Sequence, residues 1–327
     1  MRVGLIARCD NRGLGIQTWE VWRHLAPAVT VVVDPGGTEA RQYPDRYPDG
    51  IVCTPDRICD RRIVDMLATC DVVYTAETWY DRSLPERLAA AGTATVRHIN
   101  PELDDGAWSS SVWAPTGWLT DRLPAGTRVV PMPAPVDRFP TVTPPTSPPR
   151  VVHPAGKPAL ADRQGSEIVA ACTRPLHRAG ISVDLVGFGS ARGVPFRPVD
   201  DWWTRDPGAV CSVIPRRYGG LCMPVLEALA AGVPVMMTDC PPNTDMWPII
   251  PLAASRGHDV RAKAGLVPNW VVDPGTVTST VMVLAADPDR RAHEADRARG
   301  WALEHSWEVL APVWVRELAD AAETGSR

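Results

Sequence analysis

The chain has 327 residues, of which 45% are hydrophobic and 22% charged, and its formal net charge is −4. These values are typical of a folded soluble protein with about two domains, and they exclude a disordered, a collagen-like or a small disulfide-stapled chain. The 34 basic residues do not outnumber the 38 acidic ones, so the chain has no overall basic field for nucleic acid.

The apolar runs and the cysteines bear on localisation and on metal binding. The opening segment MRVGLIARCDN holds an apolar run too short for the core of a signal peptide. No other run approaches the roughly 20 apolar residues of a membrane helix. The eight cysteines are scattered without a C-x-x-C pair, which argues against a zinc site and thioredoxin-like chemistry. We therefore expect a cytoplasmic protein with no membrane span.

The chain alternates short β-branched runs with longer amphipathic segments, which indicates parallel strands joined by helical crossovers. In the first half the predicted strands cover residues 2–7, 30–34, 71–74, 93–99 and 128–131, and the predicted helices cover residues 17–26, 61–70 and 84–92. The pattern restarts in the second half, with strands at 150–156, 183–187, 209–214 and 233–238 and helices near 165–179 and at 224–232. The predicted fold class is α/β, with two Rossmann-like domains facing across a cleft.

A proline-rich stretch, PTVTPPTSPP at residues 140–149, divides these two halves and reads as a stiff connector. We expect an N-terminal domain at residues 1–140, a linker at 141–149 and a C-terminal domain at 150–300. The remaining residues, 301–327, form one predicted helix that packs back across the domains. Its apolar stripe consists of Leu303, Trp307, Leu310, Trp314 and Leu318. The D-x-D from Asp287 to Asp289 is interpreted as helix capping.

Ligands bind beyond the carboxyl ends of strands in parallel α/β sheets, so the loops at those ends are the first candidates. The loop RCDNRGLG contains Asn11, Gly13 and Gly15. The glycines let a phosphate approach the backbone, and the next helix offers free N–H groups to an anion. A dinucleotide site is an alternative because Asp34 closes the next strand, although Thr18 occupies the third glycine position of G-x-G-x-x-G. A simple tight turn is another.

The loop after the first strand of the second half contains Gly156, Lys157, Arg163 and Gly165. Its two cations could contact one anion while the glycines leave room for it. Lys157 is one of only two lysines in the chain, which favours a site there. A solvated loop is the alternative.

The loop at residues 215–224, PRRYGGLCMP, places Gly219 and Gly220 before a helix that starts near Pro224. The amino end of this helix directs backbone donors at a ligand. Glu227 falls one turn into the helix, where its carboxylate could accept hydrogen bonds from a vicinal diol such as ribose. The alternative for Glu227 is a favourable interaction with the helix dipole alone.

These segments resemble a known family. YGGLCMPVLEALAAGVPV is similar to the donor-binding signature of glycosyltransferase family 4, of GT-B fold, which reads E-G-F-G-x-P-x-x-E-A-x-A-x-G-x-P-V. The residues in register are Gly220, Pro224, Glu227, Ala228, Ala230, Gly232, Pro234 and Val235. The Lys157 loop resembles the family's G-R…K-G pattern with lysine and arginine exchanged, and the Gly13 loop resembles its amino-terminal glycine loop. ARCDNRGLG and PRRYGGLCMP further resemble a branch common in actinobacteria and their phages, which would place the protein in the host cytoplasm if it is phage-encoded.

The resemblance implies a retaining transfer of a sugar from a nucleotide-diphosphate sugar, with no metal and no other cofactor. It assigns the diphosphate to Lys157 and Arg163 and the ribose to Glu227. The remaining donor contacts fall to Gly13, Gly15, Gly156, Gly219, Gly220, Leu221, Cys222 and Met223. The first glutamate of the family's Glu-x7-Glu pair falls at Gly219, which leaves the donor sugar and the retention of configuration open. Arg216 and Arg217 stand beside this position and are either substitute contacts or solvated side chains.

His98 and Glu77 follow strands of the first half and are expected on the acceptor side. The family often has a histidine at the His98 position, near the donor sugar, so His98 is a candidate catalytic residue. Glu77 and Asn11 are candidate acceptor contacts. A lone histidine is more often structural.

The identity of the acceptor is left open among a modified DNA base, a protein, a small metabolite and a glycan. Two functions other than glycosyl transfer are also left open: a nicotinamide-dependent oxidoreductase and a non-catalytic module that binds sugar nucleotides.

Overall fold

The computed structural model describes residues 1–36, 42–140, 142–155, 162–187, 189–197 and 208–325. The chain divides into two compact units. The first consists of residues Met1–Met132 together with the chain from Leu310 onwards, and the second of Pro133–Val309. Each is an α/β unit built around a parallel sheet.

The first unit contains a seven-stranded parallel sheet with the strand order β3-β2-β1-β4-β5-β6-β7. Its strands are β1 (Val3–Arg8), β2 (Val29–Val33), β3 (Ile51–Cys53), β4 (Val72–Ala76), β5 (Ala94–His98), β6 (Ser111–Ala114) and β7 (Arg128–Val129). Its first three α-helices are α1 (Gly13–Leu25), α2 (Arg61–Leu67) and α3 (Leu84–Ala90). Sequence analysis missed β3 and β6, which are only three and four residues long.

Alternation along β4 sends its side chains to two different layers of the first unit. Val73 packs with Leu67, Leu84 and Leu88, which places α2 and α3 against one layer. Tyr74 points the other way, and its hydroxyl accepts a hydrogen bond from Gln17 Nε2 of α1 across 3.1 Å. The sheet therefore has a helical layer on each face, as a parallel sheet requires.

The second unit contains a five-stranded parallel sheet with the strand order β14-β13-β12-β8-β9. Its strands are β8 (Arg150–Pro154), β9 (Ser182–Val186), β12 (Cys211–Ile214), β13 (Val235–Thr238) and β14 (Ile250–Leu252). Short antiparallel pairs join β10 (Ser190–Ala191) to β11 (Val194–Pro195), β15 (Ala254–Arg256) to β18 (Trp270–Val272), and β16 (Val260–Ala262) to β17 (Gly265–Val267).

The helices of the second unit are α4 (Ser166–Arg178), α5 (Met223–Ala230), α6 (Asn243–Met246), α7 (Pro274–Ala286) and α8 (Pro288–Glu304). The core between the sheet and helices α4 and α7 contains Val151, Val213, Leu176 and Val281, each at most 1% exposed. The carboxylate of Asp287 accepts a hydrogen bond from the Arg290 backbone N–H at the start of α8, which confirms the predicted capping role of this residue.

The proline-rich stretch is part of the second unit, where it packs against two glycines. The Thr146 N–H donates to the Gly208 carbonyl across 2.9 Å. A Cβ atom at Gly232 would lie 2.9 Å from Val142 Cγ2, so this glycine admits the stretch to the surface of its unit. The stretch is therefore held along the second unit, and the units divide before it, between Met132 and Pro133, where the sequence had predicted a linker at 141–149.

The predicted C-terminal stripe is interrupted, because α8 ends at Glu304 and α9 (Trp307–Gly325) begins three residues later. At the break the His305 carbonyl accepts a hydrogen bond from the Ala134 N–H across 2.8 Å. Leu303 is consequently 49% exposed, whereas Trp314 of α9 is fully buried in the first unit. No helix among the described residues combines the length and apolar character needed to cross a membrane.

Candidate functional site

The glycine loop between β1 and α1 is shaped by the backbone of Asp10. A Cβ atom at Gly15 would lie 1.9 Å from the Asp10 carbonyl oxygen, so glycine is required there by close packing. At Gly13 nothing lies within 4 Å of such an atom. The Asp10 carboxylate is buried and accepts from the Arg8 Nε and the Arg12 N–H, at 2.7 and 3.2 Å. Of the two predicted glycine contacts, Gly13 is the one that borders open space.

Asn11, the other predicted residue of this loop, is half-buried beside Asp10. The side chain of Arg12, the N-cap of the helix α1 that follows, makes no capping hydrogen bond, and the first turn contains no acidic residue. Anion binding at the amino end of α1 stays a prediction, and the Asp10 carboxylate already accepts from the Arg12 N–H there.

Glu77 follows β4 directly and has a left-handed backbone, with φ of 59°. This conformation is uncommon for a residue other than glycine and typically costs about 1–3 kcal/mol. The Glu77 N–H donates to the His98 carbonyl across 2.9 Å, and its Oε1 accepts from Asn100 Nδ2 across 2.7 Å. These contacts fix a half-buried carboxylate at the ends of β4 and β5, on the edge of the sheet where a ligand is expected.

His98 occupies the last position of β5, but its side chain points into the unit and is 1% exposed. Its Nδ1 lies 3.1 Å from the Tyr74 hydroxyl, and Trp113 and Trp314 pack their rings against it at 6.0 and 5.4 Å between centroids. Burial lowers the pKa of His98 to about 3, so the ring is neutral at physiological pH. This environment favours the structural role over the catalytic role predicted for His98.

In the second unit the loops that follow β8 and β12 meet at the carboxyl edge of the sheet. Gly165 has a φ of 75°, and a Cβ atom there would lie 2.4 Å from the Pro215 carbonyl oxygen. The Arg217 N–H donates to the Arg163 carbonyl across 2.8 Å. Gly165 therefore makes room for a neighbouring loop, where the sequence had suggested room for an anion. Gly156 and Lys157 lie outside the described residues.

The amino end of α4 is occupied by a carboxylate of its own loop. The two oxygens of Asp162 accept hydrogen bonds from the Ser166 and Glu167 N–H groups, at 2.7 and 3.0 Å. The pKa of Asp162 is raised above its ordinary value because burial outweighs the lowering effect of these two backbone donors. Because Asp162 already satisfies these donors, an anion beside Arg163 would depend on side-chain cations and on the next loop.

A buried arginine shapes the loop at residues 215–222 from the inside. Arg216 is fully buried and donates from Nη1 to the Gly220 carbonyl and from Nη2 to the Leu221 carbonyl, at 2.6 and 3.1 Å. Arg217 donates from Nε to Asn269 Oδ1 across 3.0 Å. Both arginines, for which the sequence left a choice between ligand contact and solvation, hold protein groups in place.

The backbone at Gly219 has a φ of 116°, a conformation that side-chain-bearing residues rarely adopt. A glutamate at this position would have to be strained or would have to change the loop. The loop conformation therefore suits the glycine that stands where the resembled pattern has its first glutamate. Cys222 and Met223 follow and are buried. Cys222 is the N-cap of α5 and makes no capping hydrogen bond, and its Sγ accepts from Gln164 Nε2 across 3.7 Å.

Glu227 lies one turn into α5 and is 4% exposed. Its Oε1 accepts a hydrogen bond from Arg138 Nη1 across 2.9 Å, in an ion pair within the second unit. Arg138 belongs to the short 3₁₀-helix Val136–Arg138. Sequence analysis missed Arg138 because no periodicity or spacing relates two residues so far apart in the chain.

A second buried histidine, also missed, connects the elements beneath these loops. His153 of β8 donates from Nδ1 to the Val213 carbonyl across 2.7 Å, and its Nε2 lies 2.9 Å from the Ser166 hydroxyl. Burial lowers the pKa of His153 to about 4, so the ring is neutral and Nε2 accepts from the hydroxyl. His153 ties β8, β12 and the start of α4 together under the candidate site.

The two parallel α/β units and the loops at their carboxyl edges define the GT-B class of fold, which confirms the fold class predicted from the sequence. No protein-family model and no curated protein sequence matches the chain.

Several solved structures share the fold over nearly the whole chain. The complex of Anabaena Alr3699/HepE with UDP-glucose has a TM-score of 0.67 and 12% identity, over 98% of this chain and 100% of that one. Sucrose-phosphate synthase from Thermosynechococcus elongatus has a TM-score of 0.65 and 13% identity, over 98% and 100%. An α-glucosyltransferase in complex with UDP and a 13-mer DNA containing an HMU base has a TM-score of 0.59 and 11% identity, over 98% and 99%. At these identities the likeness establishes the fold alone.

Proposed function

We propose that the chain is a glycosyltransferase that moves a sugar from a nucleotide-diphosphate sugar to an acceptor hydroxyl. The observation that carries the proposal is the position of Glu227. Glu227 lies one turn into α5, the helix that begins directly after the loop containing Gly220, and this loop meets the loop containing Arg163. The fold likeness to structures described as complexes with UDP or UDP-glucose supports a nucleotide sugar as the donor.

The proposed roles in the second unit follow from charge and position. Glu227 accepts hydrogen bonds from the donor ribose, while Lys157 and Arg163 hold the diphosphate. The backbone of residues 219–223 and the amino end of α5 complete the donor site, with Gly156 beside Lys157. As the bond between the sugar and the phosphate breaks, its electron pair passes to the diphosphate, and fixed cations stabilise that growing charge.

The proposed roles in the first unit concern the acceptor and the sugar. Gly13, at the start of α1, allows the backbone to approach the donor, and Gly15 fixes the turn. Glu77 and Asn11 contact the acceptor, whose oxygen forms the new bond to the sugar and whose proton passes to the departing diphosphate. His98 supports this unit as a neutral hydrogen-bonding group, since burial lowers its pKa to about 3. Retention of configuration, membership of family 4 and independence of metal belong to the same proposal.

A second candidate function is a non-catalytic module that binds sugar nucleotides. It is favoured by Gly219, whose φ of 116° leaves no place for the first carboxylate of the family's pair. The two candidates differ in a measurable way, because only the enzyme breaks the bond between sugar and diphosphate.

The test is a titration of the purified protein with UDP, GDP and NAD, followed by incubation with the sugar derivatives of whichever nucleotide binds. Binding of a nucleoside diphosphate and its release from the sugar, with EDTA present, is the result expected of a metal-independent transferase. Binding without release would identify the module. Binding of NAD alone would contradict both and restore the oxidoreductase hypothesis.

A further inference from the structure

The partner of Glu227 is the feature that the proposed function does not yet use. The Arg138–Glu227 ion pair is buried on both sides, since the side chains of Arg138 and Glu227 are 9% and 5% exposed. A buried carboxylate requires a compensating opposite charge, and losing one partner of such a pair is costly. Arg138 therefore supplies positive charge to the residue to which we assign the donor ribose.

The surroundings of the pair restrict how the carboxylate can turn. Every residue of α5 except Pro224 is buried, so the backbone that carries Glu227 is fixed by packing. On the other side, the Arg138 guanidinium lies over the ring of its neighbour Phe139, 5.4 Å from the centroid. The guanidinium is planar, so this contact restricts the plane in which its N–H donors lie.

The pair stands apart from other ion pairs of the same unit. Arg150 and Asp184 are also linked, at 3.0 Å, but Asp184 is 29% exposed and Arg150 begins β8, at the amino end of the sheet. A buried ion pair rarely stabilises a fold more than an apolar pair of the same volume would. Stability alone is thus a weak explanation for an arginine at position 138. The location of its partner Glu227 at the proposed ligand-binding edge is a better explanation.

We propose that Arg138 is the positioning residue for Glu227, which keeps the carboxylate ionised and oriented to accept hydrogen bonds from the vicinal hydroxyls of the donor ribose. This inference rests on the proposed function and extends it, because it makes the selection of ribose over deoxyribose depend on a residue that does not touch the nucleotide. Hydrogen bonds to an ionised acceptor are about twice as strong as neutral ones, so the charge of Glu227 matters for this selection.

The experiment compares a ribonucleotide with its deoxy form. UDP and GDP are titrated first, and the one that binds is compared with its 2′-deoxy counterpart by calorimetry. We expect the wild-type protein to prefer the ribonucleotide by about tenfold or more, the value of one hydrogen bond to a charged group. Arg138→Met and Glu227→Gln should each reduce this preference to about twofold or threefold, comparable with a weak neutral bond.

Two further variants separate positioning from general structural damage. Arg138→Lys retains the charge and should recover part of the preference. The double variant Arg138→Met/Glu227→Gln should lose no more of it than Glu227→Gln alone, because Arg138 acts through Glu227. Arg150→Met is the matched control: it removes an ion pair of the same unit away from the ligand-binding edge, and the preference should remain at its wild-type value.

The outcomes distinguish this inference from the function on which it rests. A folded Arg138→Met protein with the full ribose preference would overturn the positioning role and leave the proposed function standing. If the wild-type protein bound neither UDP nor GDP, the proposed function would fail, and the assignment of Arg138 with it. If Arg138→Met does not fold, Arg138→Lys provides the test. Its preference for the ribonucleotide over the deoxy form must then exceed that of Glu227→Gln, and an equal preference would overturn the positioning role.

Discussion

The two units arrange the polar groups at the carboxyl edges of their sheets in different ways. In the second unit these groups are paired with protein partners: Arg216 binds loop carbonyls, Asp162 binds the amino end of α4, and Glu227 is linked to Arg138. In the first unit one carboxylate, Asp10, is also buried and paired, but the edge further carries a half-buried glutamate on a strained backbone, Glu77, and a glycine that borders open space, Gly13. A preorganised edge suits a ligand with one fixed chemistry, whereas the less constrained edge suits a partner that varies. We therefore propose that most of the nucleotide contacts belong to the second unit and that the acceptor contacts, Glu77 among them, belong to the first.

The largest expected effect concerns Arg163, a cation at the carboxyl edge of the sheet in the second unit. Arg163→Ala should lower kcat by about 10²–10³-fold, the loss that follows removal of one group that stabilises charge developing in a transition state. Nucleotide affinity should fall as well, because the bound diphosphate is already negative. Single-turnover measurements of donor cleavage separate the two effects.

Arg192→Ala is the control for this prediction, because Arg192 belongs to the same unit but its side chain is 60% exposed in a surface ion pair with Glu167. That variant should have wild-type turnover. An Arg163→Ala enzyme as fast as the control would show that the diphosphate is bound elsewhere, and the assignment of the donor to this edge would lose its main support.

The next effect depends on pH and compares one buried histidine from each unit. Folding lowers the pKa of His98 to about 3 and that of His153 to about 4, below the value of 6.5 for an unperturbed histidine. Between these values the unfolded chain binds more protons, so stability is full above about pH 6.5 and is lost as the pH falls. At pH 5 each histidine should have cost about 2 kcal/mol of unfolding free energy.

Urea unfolding from pH 7.5 to 5 tests this expectation. His98→Gln and His153→Gln should each flatten the dependence of stability on pH, whatever their effect at pH 7.5. His293→Gln replaces an exposed histidine of α8 and should leave the slope unchanged. Equal slopes in all three variants would mean that neither buried ring resists protonation.

The elements show why some of this organisation could be predicted from the sequence and some could not. Long apolar strands such as β2 and β4 are visible because burial on both faces requires continuous hydrophobic runs. The strand β3 has only three residues, too few to show the alternation or the apolar run by which a strand is recognised. The break between α8 and α9 was also hidden, because it depends on a hydrogen bond from distant Ala134 to His305.

The same distinction holds for the candidate site. Glu227 could be found from the spacing of a local motif on one helix. The partner Arg138 and the buried role of Arg216 could not, since each depends on which loops meet in three dimensions. The sequence also could not tell whether the glycines admit a ligand or a neighbouring backbone. In the structure Gly15 and Gly165 each make room for a neighbouring backbone carbonyl group.

A smaller effect is expected at Gly219. Variants there test whether this loop of the second unit could carry the first glutamate of the pattern that the sequence resembles. Gly219→Glu should lower the free energy of unfolding by about 1–3 kcal/mol, because a side chain is strained at a φ of 116°. Gly219→Ala should lose a similar amount, which would assign the loss to the backbone. Gly13→Ala, in open space in the first unit, should lose none. A stable Gly219→Glu protein with faster transfer would contradict the view that this loop excludes the carboxylate.

The smallest effect is an inversion of the usual order of two variants at Glu77. At an ordinary position alanine is more favourable than glycine, because glycine has the greater backbone freedom to lose on folding. At a φ of 59° the order should reverse, since only glycine adopts the left-handed region without cost.

Glu77→Gly and Glu77→Ala both remove the carboxylate, so both lose the hydrogen bond from Asn100 equally. We expect the glycine variant to be more stable than the alanine variant by about 1 kcal/mol in urea unfolding. Both should retain wild-type nucleotide affinity, because Glu77 is assigned to the acceptor. An alanine variant as stable as the glycine variant would show that the backbone at Glu77 is not strained, and a loss of nucleotide affinity would erase the division of roles between the two edges.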